Sequence, residues 1–310
     1  MSDKTGIEWT DATWNPTTGC DRVSPGCDHC YAMTLAPRLK AMGSPRYQRD
    51  GDPRTSGPGF GVTEHPTALD QPLRWKRGRR IFVNSMSDLF HDEISDDFIA
   101  QVFAVMALAP QHTFQVLTKR HGRMRSLLTD WEFVREVGQH IVTAEVHEGR
   151  EFDLPEWGDW WPLPNVWLGV SVETQQWADI RIPALLATPA AVRFLSCEPL
   201  LGPVSLFANT RIDTGTLVDW LIVGGESGRG ARPMRRAWAT GLRDECRAHG
   251  IAFHFKQWCE WAPTNILDPR AEYPVFPDTT ARLAYAKVGK KSAGRELDGR
   301  TWDEFPAVAS

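Results

Sequence analysis

Several things are scarce in this sequence. No uninterrupted apolar run reaches the roughly 20 residues that span a bilayer, and the opening MSDKTGIEWTD has no apolar leader core. The expectation is a cytoplasmic chain with no membrane partner. Charge of one sign is not in excess either: 35 Lys+Arg against 39 Asp+Glu give a net charge of −4, with no global field to drive the chain onto nucleic acid. A local basic patch stays open. Six cysteines in 310 residues are too few for a disulfide scaffold. Fixed-period repeats and long low-complexity segments are also missing, which sets aside solenoids and propellers. What is present is an ordinary supply of core residues, 42% hydrophobic, with 14 Trp. The length suits two domains of about 150 residues, or one α/β barrel of roughly 250.

Short β-branched or aromatic runs recur at Ile81–Asn84, Thr113–Leu117, Val166–Val172, Val192–Leu195, Trp220–Val223 and Ile251–Phe255. Each has the length of a buried strand. Helical patterning lies between them at Asp97–Leu108, Trp177–Leu186 and Trp238–His249, the last followed by Gly250 as a C-cap. Alternation of this kind predicts parallel strands with right-handed crossovers. With a further short strand at Ile7–Trp9, the expected fold is a complete or partial parallel (β/α) barrel of TIM type, one domain over residues 1–310. Insertions are expected at about 43–80 and 129–164, and a C-terminal extension at about 260–310.

In such a fold the active site lies at the C-terminal ends of the strands. The residues found there are polar throughout: Asn84, Ser85 and Asp88; Thr118, Lys119 and Arg120; Ser171 and Glu173; Ser196, Cys197 and Glu198; Gly224 to Ser227; Lys256 and Gln257. The run Gly224-Gly225-Glu226-Ser227-Gly228-Arg229-Gly230 is a turn whose backbone suits close approach to a ligand.

Three of the six cysteines, Cys20, Cys27 and Cys30, fall within eleven positions with spacing C-x6-C-x2-C. In a reducing compartment this is a metal-site pattern. Structural zinc and iron–sulfur clusters normally take four protein ligands. The deficit admits three readings: a fourth ligand from His29 or from Cys197, Cys246 or Cys259; a catalytic metal with an open position; or a 4Fe-4S cluster with one iron left for a small molecule.

The cysteine loop before an α/β repeat, followed by Tyr31-Ala32, resembles the radical S-adenosylmethionine superfamily. The stretches IEWTDATWNPTTGC, VNSMSDLFH, FQVLTKR, LPNVWLGVSVE, RFLSCEPLLGP, VGGESGRGARPM, HFKQW and GRELDGRTWDEFP resemble, nearly end to end, a phage-associated bacterial radical-SAM-like family. The resemblance implies an enzyme in which Cys20, Cys27 and Cys30 hold a 4Fe-4S cluster. Its open iron would bind S-adenosylmethionine, and an electron from a flavodoxin or ferredoxin would cleave the cofactor to a 5'-deoxyadenosyl radical. It further implies that Asn84 and Ser85 face the methionine moiety and that Ser171 and Glu173 contact the ribose. Cys197, at a strand mouth, is a candidate hydrogen-atom donor to a substrate radical, as in a superfamily lyase that repairs a thymine lesion.

For the substrate, Arg74 to Arg80 holds five basic residues in seven, interleaved with Trp75, and Lys119 to Arg125 adds four more. Such segments suit phosphate contacts with base stacking. Nucleic acid or a nucleotide is therefore the expected substrate class, with Arg77, Arg79 and Arg80 as its contacts. The competing expectation is a zinc-stabilised nucleic-acid-binding protein without catalysis.

Overall fold

The computed structural model describes residues 5–147, 160–207, 218–265, 275–278 and 283–307. Two compact units share the chain. The first comprises Met1–Val23, Ala32–Val170 and Ala184–Arg193; the second comprises Ser24–Tyr31, Ser171–Pro183 and Phe194–Ser310.

From its start the chain forms β1 (Ala12–Trp14), β2 (Thr17–Thr18), α1 (Tyr31–Ala41), β3 (Thr63–Glu64), β4 (Arg80–Val83), α2 (Asp96–Leu108), β5 (Thr113–Thr118), α3 (His121–Leu128), α4 (Trp131–His147) and β6 (Val166–Ser171). In the first unit β1, β4, β5 and β6 lie side by side, all parallel, with Ala12 opposite Ile81, Phe82 opposite Gln115 and Phe114 opposite Val166. Every residue of β6 is buried, as expected of a parallel strand covered on both faces. Helix α2 starts where Ser95 Oγ accepts the Phe98 N–H (3.2 Å), with Asp96 and Asp97 in its first turn. It buries Phe98, Val102, Phe103 and Met106.

The chain continues through α5 (Gln175–Leu186), β7 (Val192–Cys197), β8 (Trp220–Gly224), α6 (Arg236–His249), β9 (Ala252–Gln257), β10 (Trp261–Asn265), β11 (Val275–Asp278), β12 (Leu283–Lys287) and α7 (Lys290–Ala293). In the second unit β7, β8 and β9 are parallel neighbours, with Phe194 opposite Trp220 and Trp220 opposite Ala252. Helix α6 ends at Gly250 with φ 69°, the left-handed cap expected of it. The strands β10, β12 and β11 form a separate antiparallel sheet within the expected C-terminal extension, parts of which lie outside the described residues.

The mixed parallel α/β character is thus present in both units. The six strands and three helices expected from the sequence recur within two residues at either end. One expectation is corrected. The first strand is Ala12–Trp14, not Ile7–Trp9; Trp9 instead packs its ring against Phe82 in a tilted arrangement, with centroids 4.7 Å apart. The segment 43–80 is a series of single 3-10 turns, Pro45–Tyr47, Pro66–Ala68 and Pro72–Arg74, each opened by a proline, together with β3, which pairs with β2. The segment 129–164 contains the 17-residue α4, whose Phe133, Val134, Val137 and Ile141 form one buried face. Residues 148–159 of that segment lie outside the described residues. Among the described residues, no helix is long and apolar enough to cross a membrane.

Candidate metal centre

The Ser24–Cys30 segment is built from tight turns. Pro25 opens a single 3-10 turn in which the Cys27 N–H donates to the Ser24 carbonyl (2.9 Å) and the Asp28 N–H to that of Pro25 (3.3 Å). The Cys30 N–H then donates to the Cys27 carbonyl (3.3 Å), and α1 begins at the next residue. Cys27 is buried and Cys30 half-buried, and no disulfide joins any of the six cysteines.

Two buried carboxylates hold this loop. Glu173, two residues past β6, is fully buried. Its Oε1 accepts Ser24 Oγ (2.8 Å) and its Oε2 accepts the guanidinium of Arg181 (2.9 Å), itself fully buried with its guanidinium over the Trp177 ring. Gly26 lies against the same carboxylate: a Cβ there would sit 2.5 Å from Glu173 Cγ, so glycine is needed for the approach.

Glu226, two residues past β8, holds the loop from the Gly-rich turn. Its carboxylate accepts the Arg232 backbone N–H (2.8 Å) and that residue's guanidinium (2.9 and 2.5 Å), while His29 Nδ1 lies at 3.1 Å. Arg232 reaches on to the Pro25 carbonyl (2.8 Å) and to Asp28 (3.2 Å). Burial alone would raise the Glu226 carboxyl, but the hydrogen bonds from Arg232 and His29 outweigh it and hold the group below its ordinary value. Gly230 packs on the His29 ring, where a Cβ would meet Nε2 at 2.7 Å. The Gly-rich turn therefore closes on the cysteine loop.

Cys20 belongs to the first unit. Gly19, before it, donates to the Met86 carbonyl (3.1 Å) and bridges Ser87, and its φ of 89° with the Gly61 carbonyl 2.3 Å from any Cβ admits only glycine. After it, Asp21 takes Thr55 Oγ1 and the ring of His91 (3.0 Å). His91 Nδ1 accepts the Glu93 N–H (3.1 Å), which leaves Nε2 directed at Asp21. Among the described residues, Asp21, His91 and Glu93 bring ligand atoms within 4.8 Å of one another, as do Asp97, Glu136 and His140. Neither set includes a cysteine.

The other expected residues divide. Asn84 and Ser85 stand at the end of β4, where Asn15 Oδ1 accepts Ser85 Oγ (3.2 Å). Ser171 gives its carbonyl to Arg181 (2.7 Å). Both Glu173 oxygens are engaged within the protein, where they anchor the cysteine loop. His29 Nδ1 is turned to Glu226. Cys197 is fully buried, with Cys246 and Glu173 near enough to add to the effect of burial, which pushes its thiol well above its ordinary value. Arg77, Arg79 and Arg80 lie at the N-terminal end of β4, the opposite end from Asn84 and Ser85. Arg80 is paired with Asp11 (3.1 Å) and Arg79 lies over Trp75 (4.8 Å), while Arg77 is exposed. The second basic run is largely α3, and Arg123 in it bonds to Asp96 (2.5 Å) and the Ile94 carbonyl (2.6 Å).

The sequence reading missed Ser24, Arg181 and Arg232 as parts of the centre. Arg181 carried a signal, a cation in the otherwise apolar stretch IRIPALL; Ser24 carried none.

The profile of the DUF5131 family, described as protein of unknown function, matches residues 4–306, and the chain belongs to that family. No curated protein and no solved structure matches it. The expected membership of the radical S-adenosylmethionine superfamily is thereby corrected: the matching profile is DUF5131, and the cysteines run C-x6-C-x2-C, not C-x3-C-x2-C.

Proposed function

We propose that this DUF5131 chain is a metalloenzyme in which Cys20, Cys27 and Cys30 hold a 4Fe-4S cluster with one iron open to S-adenosylmethionine. The observation that carries the reading is the loop Ser24–Cys30, fixed by Glu173 and Glu226 at the C-terminal ends of parallel strands. Two buried charges are costly unless fully paired, and a turn that merely decorated a surface would not need them. Metal ligands, by contrast, depend on partners behind them that fix the geometry before the metal arrives. The donor set fits: three thiols with no disulfide suit iron–sulfur or zinc rather than a hard cation. When bound, such a cluster supplies one electron to a ligand on its open iron. The chain's residues set the frame: Glu173 orients Ser24 and the Pro25–Cys27 turn, and Arg232 fixes the Pro25 carbonyl and Asp28.

The expected barrel, complete or partial, and an electron donor of the flavodoxin or ferredoxin kind are part of the same proposal. So is nucleic acid or a nucleotide as substrate, with Arg77 the least engaged of the three arginines. Anaerobic reconstitution with iron and sulfide tests the reading. A brown protein with iron and sulfide in equal amounts is expected, and each of Cys20→Ala, Cys27→Ala and Cys30→Ala should lose the colour. A colourless protein that takes zinc and refuses iron contradicts it and favours the zinc-stabilised alternative.

A further inference from the structure

We infer that Asn84 reads the edge of an adenine base. The residue follows β4 directly, is 3% exposed, and holds a left-handed backbone with φ 62°. Neither its amide nitrogen nor its amide oxygen has a hydrogen-bond partner. Its main chain is satisfied, with the N–H donating to the Trp14 carbonyl (2.8 Å) and the carbonyl accepting from Ser87 (3.4 Å). The side chain is therefore not needed to close the turn. The nearby Asn15 does the opposite, its Oδ1 accepting Ser85 Oγ and the Met86 N–H (3.0 Å).

A buried amide with both ends unmet is among the costlier features of a fold. Left-handed backbone adds to that cost, and the two persist together where a ligand clamp uses them. Ser85 and Ser87, in the turn that follows, are half-buried.

The chemistry of the missing partner follows from the amide. It must offer a donor beside an acceptor, and it must be neutral, because an ionised group buried there would need a counter-charge. Asp88, the carboxylate of the same segment, is already occupied by Thr118 Oγ1 (2.7 Å), the Lys119 N–H (2.9 Å) and the Phe90 N–H (3.1 Å). Adenine meets both conditions, since an asparagine amide pairs in bidentate fashion with its N6–H and N7. The methionine contact implied for Asn84 by the sequence is charged and fits this site less well. The first cysteine shares the same backbone, because Gly19 pairs with Met86 and Ser87. Only the source of the adenine, S-adenosylmethionine or an adenine nucleotide, rests on the proposed function.

Calorimetric titration of the metal-free full-length chain tests the inference. Adenosine should bind, and 7-deazaadenosine, which lacks only the N7 acceptor, should bind about tenfold more weakly. Asn84→Asp keeps the size and the tolerance for positive φ but turns the donor into an acceptor, and it should erase that preference. Asn84→Gly should lose adenosine binding while raising Tm by a few degrees. S-adenosylhomocysteine binding more tightly than AMP would place the adenine on the cofactor, and the reverse order on the substrate. No binding of adenosine, or equal affinity for the two nucleosides in the unsubstituted chain, overturns the inference and leaves the amide to a buried water only. Adenosine binding needs no cluster, so failed iron uptake and failed adenosine binding are separate results.

Discussion

Glu173 and Glu226 do the same task in different surroundings. Each stands two residues past a parallel strand, each accepts an arginine, and each holds the loop that carries Cys27 and Cys30. The Glu173–Arg181 pair is wholly enclosed, 0% exposed on both sides, whereas Arg232 leaves 35% of its side chain in solvent. In the enclosed pair neither charge can be rehydrated if the other is lost. In the rim pair water stands ready to replace the partner, so the second contact serves geometry more than stability. One side of the loop is thus anchored to the core and the other is adjustable.

The largest test of that contrast is Arg181→Ala, which strands the Glu173 carboxylate without water. A loss of about 3–5 kcal/mol is expected, measured by urea unfolding, and the double substitution with Glu173→Leu should recover part of it. Next comes Gly26→Ala, where the new methyl meets an immobile carboxylate and should cost about 1–3 kcal/mol by the same measurement. Glu226→Gln should cost about 1–2 kcal/mol at neutral pH. Because the folded Glu226 carboxyl lies below its ordinary value of 4.5, its contribution is present above that pH and is lost as pH falls through the folded value. Stability measured below pH 4.5 should therefore fall less steeply in the variant. Smallest is Gly230→Ala: its methyl meets the ring of His29, the far end of a side chain 37% exposed, so a Tm change of about 1–2 °C or less is expected. A Gly230→Ala variant as damaged as Gly26→Ala would remove the contrast.

The strands were legible because each is a short run rich in β-branched and aromatic residues with a polar residue or glycine after it, and that is a local property. The first strand was hidden by brevity: Ala12–Trp14 has one polar residue in three and no period to detect. Helix α4 was legible in principle, from the spacing of Phe133, Val137 and Ile141, but the Trp- and Pro-rich stretch after it marked the whole segment only as an insertion. The centre was half legible. Cysteine spacing marked the loop, and Gly224–Gly230 marked a close approach, but not what approaches it. Glu173 meets Ser24 across 149 positions and Arg232 meets Pro25 across 207, and no pattern within a window reports such a partner. The arginines of the basic run looked available for the same reason, since Asp11, which pairs with Arg80, lies 69 residues away.

Glu226 and Arg232 set the position of the Cys27 loop, and alkylation of the metal-free chain tests this most directly. Iodoacetamide labelling followed residue by residue should find Cys27 slow in the unsubstituted protein and at least several-fold faster in Arg232→Ala. Cys197 and Cys246, both fully buried, should stay unlabelled in both and so report that the fold is intact. An unchanged Cys27 rate in Arg232→Ala, with Cys197 and Cys246 still protected, would contradict the claim.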